Sequence, residues 1–495
     1  MWLGNDRRKK SLARDQAVKS DVGSIGKKFS RRERGARRLR ASPLLPRTPR
    51  DRVSGAMTAT QGVVFALGGE KRFGGLVTQD IPRCLLDLGF QPMAWYALRA
   101  LERANVLDVF LVAAGEHSAA RFEDFVREQY KGPCRVAVVA AAEDADSADA
   151  LRAVADRLTS RSVAVLSGDL VTDVALADVL DTHDSAGARA VATCVYARRR
   201  PWHAVETKTG RPPKGATYVG LSDDSRLLFA ADGDDVDKIL KLRRPMLNRV
   251  SSLEVRTDLS DANMYVFRTK SILRLLEREP RMRSLQLDAV PAMARRQFAS
   301  AEPDADALDA DEADDVGLMR AVLGGVETDA TRAWKDTVLA YLAPDAAYCA
   351  RAETLSPAYS EMARELAAAD VAAHLLGRPA SKYENFVAGS VVIGARATVG
   401  PGCIVNEDAS LGEKCSVKRS VVGEGASIGG GAKVINSVVM PRATVEDGCV
   451  VQGCVVGPRA VVGAGTSLRE CLVAAEYEVE EGEDFRGETL AEKTR

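Results

Sequence analysis

Residues 415 to 431 read CSVKRSVVGEGASIGGG, 432 to 448 AKVINSVVMPRATVEDG, 449 to 465 CVVQGCVVGPRAVVGAG and 466 to 482 TSLRECLVAAEYEVEEG, a 17-residue period repeated four times. Within it aliphatic residues return every five or six positions: Val417, Val422, Ile428, then Val434, Val439, Val445, then Val451, Val456, Val462, then Leu468, Val473, Val479. Upstream, Ile393, Val399, Val405 and Leu411 keep a plain six-residue step. Hexads of a small residue, an inward aliphatic and a following Gly or turn residue predict a parallel β-helix, each side of a triangular coil being one short strand. A 17-residue coil is one short of three hexads, so one corner closes more tightly. A single coil cannot bury its apolar face, so about five stack together. Cys415, Cys449, Cys454 and Cys471 recur at regular positions and read as small stacked fillers rather than ligands. None of the four histidines (His117, His183, His203, His374) lies in the repeats, which argues against acyl transfer. The flat sides and open last coil of such a prism suit it to side-by-side association, a binding platform.

The repeat fills only the end of a 495-residue chain that is 46% hydrophobic, so two or three domains are expected. Lys plus Arg equals Asp plus Glu at 69 each, which points away from nucleic acid. The balance conceals a split: residues 1–56 carry 17 basic against 5 acidic residues and the remainder is acidic by the same margin. This head has too few apolar residues for a core and reads as a disordered extension, an RNA-attracting arm or an Arg-rich transit segment; Met57 is an alternative start. No apolar run reaches the roughly 18 residues of a membrane span. Nine cysteines without a Cys-x-x-Cys pair fit a reducing, cytoplasmic compartment.

Between about 57 and 300 the pattern is α/β. Apolar runs at Gly62 to Leu67, Val109 to Ala114 and Val163 to Leu166 read as buried strands. Helical periodicity separates them at Trp95 to Ala104, Ala119 to Tyr130 and Ala148 to Leu158, predicting a doubly wound sheet. A hairpin over Thr217 to Leu221 and Arg226 to Ala230, and a strand at Met264 to Phe267, make the sheet mixed. Residues 301–315, AEPDADALDADEADD, hold eight acids and no base and form a solvated linker or insert within 301–330. A connecting segment (331–380) with short strands at Thr337 to Leu342 and Ala346 to Ala350 and a helix over Pro357 to Ala373 leads to the β-helix, 381–485.

Ligands of open α/β sheets sit beyond the carboxyl ends of the strands. The first such loop, Leu67-Gly68-Gly69-Glu70-Lys71-Arg72, offers backbone N–H groups and an arginine to phosphate oxygens, or is a tight turn needing φ > 0. Asp169, just past a strand in Leu166-Ser-Gly168-Asp169, is placed to hold Mg²⁺ beside a nucleotide, or to cap a turn.

That loop, with Ile81-Pro82-Arg83-Cys84-Leu85-Leu86 and Gly168-Asp169, resembles the sugar-phosphate nucleotidyltransferases, whose pattern is Gly-x-Gly-x-Arg, then Pro-Lys, then a metal-binding Asp. Here Glu70 stands for the second loop glycine, Gly75 for the proline after the arginine and Arg83 for the lysine. A carboxylate facing polyphosphate at ~4 Å costs about 4 kcal/mol per like-charge pair at an effective dielectric of 20. A rigid guanidinium fork does not replace a compact ammonium neutrally. There is no Glu-Lys-Pro sugar motif or clear second metal Asp, and Trp334-Lys-Asp336-Thr337 imitates the family's Trp-x-Asp-x-Gly by chance.

The segments Pro82 to Glu102, Leu166 to Asp173, Asp258 to Tyr265 and Tyr348 to Tyr359 are similar to the gamma-subunit family of eukaryotic translation initiation factor 2B, over most of 57–485. The resemblance implies a nucleotidyltransferase-like domain followed by a left-handed parallel β-helix of hexapeptide repeats. It implies a non-catalytic, cytoplasmic subunit of a guanine nucleotide exchange complex with no cofactor, paired with the homologous epsilon subunit and docking the G protein, initiation factor 2. The alternative is an active nucleotidyltransferase joining NTP to sugar 1-phosphate, with phosphate contacts at Gly68, Gly69, Arg72 and Arg83 and Mg²⁺ on Asp169. A third reading keeps those residues as a nucleotide-sensing pocket without turnover.

Overall fold

Continuous apolar strands need cover on both faces, and the central sheet has it. The computed structural model describes residues 60–68, 70–78, 80–200, 217–233, 240–298, 336–367, 371, 375 and 382–491. The basic head with Met57, the glycine at 69, the acidic stretch 301–315 and Trp334 lie outside the described residues. The sheet comprises β1 (Gln61–Ala66), β2 (Asp108–Ala114), β3 (Arg135–Ala141), β4 (Ser162–Ser167), β5 (Ala190–Arg198), β6 (Leu259–Arg268) and β7 (Thr337–Leu342). Their order across it is β7-β5-β6-β4-β1-β2-β3. β6 is antiparallel to both neighbours and the other pairs are parallel. Val63 and Phe65 face one core with the helices Ser147–Ala153 and Thr269–Arg278; Val64 and Ala66 face another with Met93–Arg103, Gly115–Glu128 and Leu176–Ser185. This is the doubly wound mixed sheet that the alternating pattern predicts.

Three details differ from the pattern. The edge strand β7 comes from within 331–380, because its Val338 and Ala340 complete the core over β5. The helix expected over Ala148 to Leu158 stops at Ala153 and passes into a 3₁₀ turn, Ala155–Arg157. The predicted hairpin forms as Thr217–Leu221 with Leu227–Asp232, in a separate three-stranded sheet with Glu254–Arg256.

From Phe386 to Leu490 the chain winds a parallel β-helix of seven-, six- and six-stranded sides. The register is the one the repeat dictates: Val417, Val434, Val451 and Leu468 pair in succession, and every inward aliphatic from Val417 to Val479 is buried. Each corner is a column of left-handed residues, such as Gly402, Arg419, Asn436, Gly453, Glu470 and Gly487, with φ between 47° and 67°. Another column holds Asp408, Gly425, Arg442, Arg459 and Glu476, and a third Arg396, Lys414, Gly431, Gly448, Gly465 and Gly482. Successive corners are six, six and five residues apart, so the missing residue of each coil is lost from the side carrying Ser416–Lys418, Lys433–Ile435 and Val450–Gln452. Non-glycine residues hold many of these corners at a steric cost, which the ladder of backbone bonds offsets. The regularly spaced cysteines are buried, and two do more than fill space. Ser437 N–H donates to Ser420 Oγ (3.1 Å), Cys454 N–H to Ser437 Oγ (3.1 Å) and Cys471 N–H to Cys454 Sγ (3.3 Å), a hydrogen-bonded column running up the stack. Ile393, on the ladder by spacing, is 50% exposed because, among the described residues, no coil precedes its own.

One side of this prism does not wait for a partner. Ile404, Val421, Val438 and Val455 point outward into a core with Phe73, Leu76, Leu88, Tyr96, Tyr359 and Met362, so the chain's own α/β unit covers that side. Replacing Val434, which is fully buried, with Asp places an unpaired charge in the ladder. Thermal unfolding followed by circular dichroism should show the repeat domain destabilised by more than about 4 kcal/mol; a variant that melts with the wild type contradicts the register.

Candidate functional site

The carboxyl ends of β1, β2 and β4 open onto a cleft of about 1290 Å³. Its lining includes Gly68, Arg72 and Arg83, three of the residues singled out in the sequence, together with Gly115, Asn263, Tyr265, Arg283 and Arg351. Gly68 is exposed with φ of 39°, a turn conformation suited to glycine, and Arg72 is exposed beyond it. Gly69 and the Glu70 side chain, whose carboxylate was expected to face phosphate, are outside the described residues.

Asp169 does not project into this cleft as a free carboxylate. It follows β4, where Gly168 N–H donates to Phe65 O at 2.7 Å; a Cβ on Gly168 would lie 2.9 Å from that oxygen, so glycine is what lets the turn tuck against β1. Asp169 is fully buried. Its Oδ2 accepts from Arg83 Nη1 (3.0 Å) and Arg351 Nη2 (3.4 Å); its Oδ1 accepts from Arg351 Nε (3.2 Å) and Ser167 Oγ (2.5 Å). Burial pushes this carboxyl up, but Arg351, Arg83 and the Ser167 hydroxyl outweigh it and hold the group at about 2.

Arg351 is the residue that sequence reasoning missed. It ends the strand Cys349–Arg351, which pairs antiparallel with Leu170–Thr172 and sets Arg351 opposite Leu170, next to Asp169. A second carboxylate, Glu353, takes its Nη1 at 2.7 Å. The only trace of it in the sequence is an arginine within a segment already noted as similar to the gamma-subunit family. Arg83 lies just after Pro82 at the start of the 3₁₀ turn Arg83–Leu85, and its Nη2 donates to Leu67 O at 3.0 Å. The guanidinium therefore ties the first loop to the end of β4.

Magnesium asks for oxygen ligands at about 2.0–2.1 Å in near-octahedral array. Both Asp169 oxygens already accept two donors, and a dication there would meet two guanidiniums. The residues present do not fit the ion. Among the described residues no group of three or more His, Cys, Asp or Glu side chains forms a metal cluster.

The departure at Gly75 has a structural cause. Gly75 O accepts from Ala475 N at 2.9 Å, and a Cβ on Gly75 would lie 2.7 Å from Ala474 Cβ. The phosphate-side loop thus leans directly on the β-helix, and a larger residue would push it off. Nearby, buried Asn406 donates from Nδ2 to Gly89 O at 2.8 Å. Loop and coils are one packed body.

Deeper along β6, Asp261 is buried, accepting from Asn263 N (2.8 Å) and Tyr265 Oη (2.9 Å). Burial raises its carboxyl to about 6 despite these bonds. A folded pKa above the unfolded value of about 3.9 means the native state holds the proton more tightly, so its contribution is complete below about pH 4 and lost as pH rises through 6. On acidification from pH 7.5 to 5, the wild type should therefore gain about 1 kcal/mol relative to Asp261→Asn in urea denaturation; parallel pH profiles contradict this assignment.

Residues 61–204 match the Nucleotidyl transferase family and residues 403–490 the GMPPB C-terminal domain. Translation initiation factor eIF2B subunit gamma of Dictyostelium discoideum is 23% identical, over 74% of this chain and 88% of the relative. The Schizosaccharomyces pombe gamma subunit is 28% identical, over 72% of this chain and 73% of the relative. The epsilon subunit of S. pombe eIF2B is 25% identical over 42% of this chain, but only 30% of that longer protein. Residues 61–204 are thus part of a nucleotidyl transferase domain, and about three quarters of the chain is homologous to gamma subunits of translation initiation factor eIF2B.

Proposed function

We propose that this chain is a non-catalytic, cytoplasmic subunit of a guanine nucleotide exchange complex acting on translation initiation factor 2, and that it works by assembly with an epsilon-type subunit and by docking the G protein. The likeness to gamma subunits supports the translation role. The observation that carries the non-catalytic part is the Arg83–Asp169–Arg351 cluster. Nucleotidyl transfer needs the negative charge on the phosphoryl oxygens and on the departing pyrophosphate met by preorganised cations. In this reading the carboxylate that would seat one of them is spent on two side chains. Gly75 adds to it, because the loop that would cradle phosphate is held against the coils.

The nucleotidyl transferase match over 61–204 favours a second reading, transfer of a nucleotidyl group to sugar 1-phosphate. One preparation decides between them. Purified chain is assayed for pyrophosphate release with several NTP and sugar 1-phosphate pairs in magnesium, and then co-expressed with an epsilon subunit from the same cell. The expected result is no turnover above the background without protein and a stable complex that accelerates GDP release from initiation factor 2. Robust pyrophosphate release overturns the non-catalytic reading, and failure to co-purify overturns the assembly reading.

A further inference from the structure

We propose that the basic loop 240–249, far along the chain from the cleft residues, is a docking surface for the chain's own acidic stretch, residues 301–315. The inference is independent of the cleft and of the exchange-complex reading.

The observation that carries it is a set of cations with nothing to meet them. Lys241, Arg243, Arg244 and Arg249 are all exposed, and among the described residues none of the four has an ion-pair partner. No acid occurs between Leu240 and Val250. Asp234, Asp235 and Asp237 precede the loop, but once Lys238 is counted with the four cations the bases outnumber them five to three. Like charges this close repel one another, so something other than charge must hold the loop in shape. That something is apolar. Pro245 opens a single helical turn, Arg244–Leu247, whose Met246 is buried in a small separate core with Leu228 and Phe298, against which Val250 and Leu253 pack. Met246 is the pin that keeps the four cations together at the surface.

The same core fixes where the acids begin. Phe298 is the last described residue before 336, and Glu302 follows four positions later, no more than about 14 Å of fully extended chain away. Residues 301–315 then set eight acids among alanines, with Leu308 and no base. So short a tether gives an effective concentration of roughly millimolar, at which several exposed ion pairs, each weak alone, suffice together. Arginine forks take carboxylate oxygens in pairs.

The apolar residues separate this occupant from nucleic acid. Leu242 and Leu247 stand 37% and 45% exposed among the cations; Leu308 and the alanines offer them partners, and a phosphate backbone does not. Nor does the stretch 240–250 carry an aromatic side chain on which a base could stack. The basic head is a rival acceptor for the same acids, but more than two hundred residues lie between it and them. With the acids docked, the loop is neutralised, and any acidic partner must displace them to reach it.

A carbodiimide joins a lysine amine to a carboxylate only where the two touch, and Lys241 supplies the amine. The full chain, as an equal mixture of isotope-labelled and unlabelled protein, is treated at about 50 mM and about 1 M sodium chloride, between which the screening length falls to about 3 Å, and linked peptides are identified by mass spectrometry. The expected result is links between Lys241 and the acids of 301–315 within one chain, about fivefold fewer at the higher salt. Arg243→Glu with Arg244→Glu, two exposed changes, should cost as much at low salt, and an equimolar short single-stranded RNA should leave the wild-type links in place. Absence of these links overturns the proposal. So do links that join two copies, links from Lys241 to Asp237 or from 301–315 to lysines of the basic head in their place, links that high salt leaves unchanged, and links that the RNA removes. If the double variant does not fold, the wild-type salt comparison still decides.

Discussion

A carboxylate without any access to water is tolerated only when its hydrogen-bonding capacity is filled, and Asp169 accepts four bonds from three side chains. The desolvation of such a cluster cancels much of its attraction, so its net contribution to stability is small. Removing one member is another matter, costing about 3–5 kcal/mol through the charge left behind. The cluster therefore specifies geometry. It fastens the end of β4, the turn at Arg83 and the strand Cys349–Arg351, which come from three distant parts of the chain. In an enzyme of this architecture such a carboxylate would keep an open coordination position. Here the position is closed by the protein itself.

The same connecting strand leads into the second constraint, the seam between sheet and coils. After Arg351 the chain forms a π-helical turn, Leu355–Tyr359, and the helix Ser360–Leu366, whose Tyr359 and Met362 are fully buried against Phe73 and Val438. Arg364 Nη1 donates to Asn436 O at 3.2 Å on the β-helix. Gly75 and Asn406 fix the other loops of the α/β unit to the coils. Cleft loop, connector and one side of the prism share one apolar core. The other two sides carry outward Ser427, Thr444, Lys433 and Ser467 mixed with Val392, Val450 and Val461, a more polar surface than the side that the chain covers for itself.

The repeat region was legible almost residue by residue, because a stack of coils has no tertiary freedom. Once the period is 17, the inward aliphatics Val417 through Val479 follow from it. The exception, Ile393, fails at the first coil, where periodicity continues but burial does not. The doubly wound sheet was legible from alternating apolar runs and β7 was legible as a strand, but its place in that sheet was not, since pairing with β5 across more than a hundred residues leaves no local mark. Gly68, Arg72 and Arg83, which line the cleft, and Asp169, buried behind it, were singled out from their positions after strands and from a family pattern. Their chemistry was not. What decides the role of Asp169 is Arg351, 182 residues away in sequence, and no spacing rule connects them. Likewise Gly75 looked like the loss of a proline and is in fact the contact point with Ala474.

The account stands or falls on whether Asp169 belongs to its two arginines or to a metal. Crystals grown from the chain with NTP and manganese, with anomalous scattering recorded at the manganese edge, give the answer in one map. The account predicts no anomalous peak within coordination distance of Asp169, with Arg83 and Arg351 still on its oxygens and any nucleotide phosphate lying against the arginines. A manganese ion ligated by Asp169 and the triphosphate, with Arg351 swung away, would contradict it.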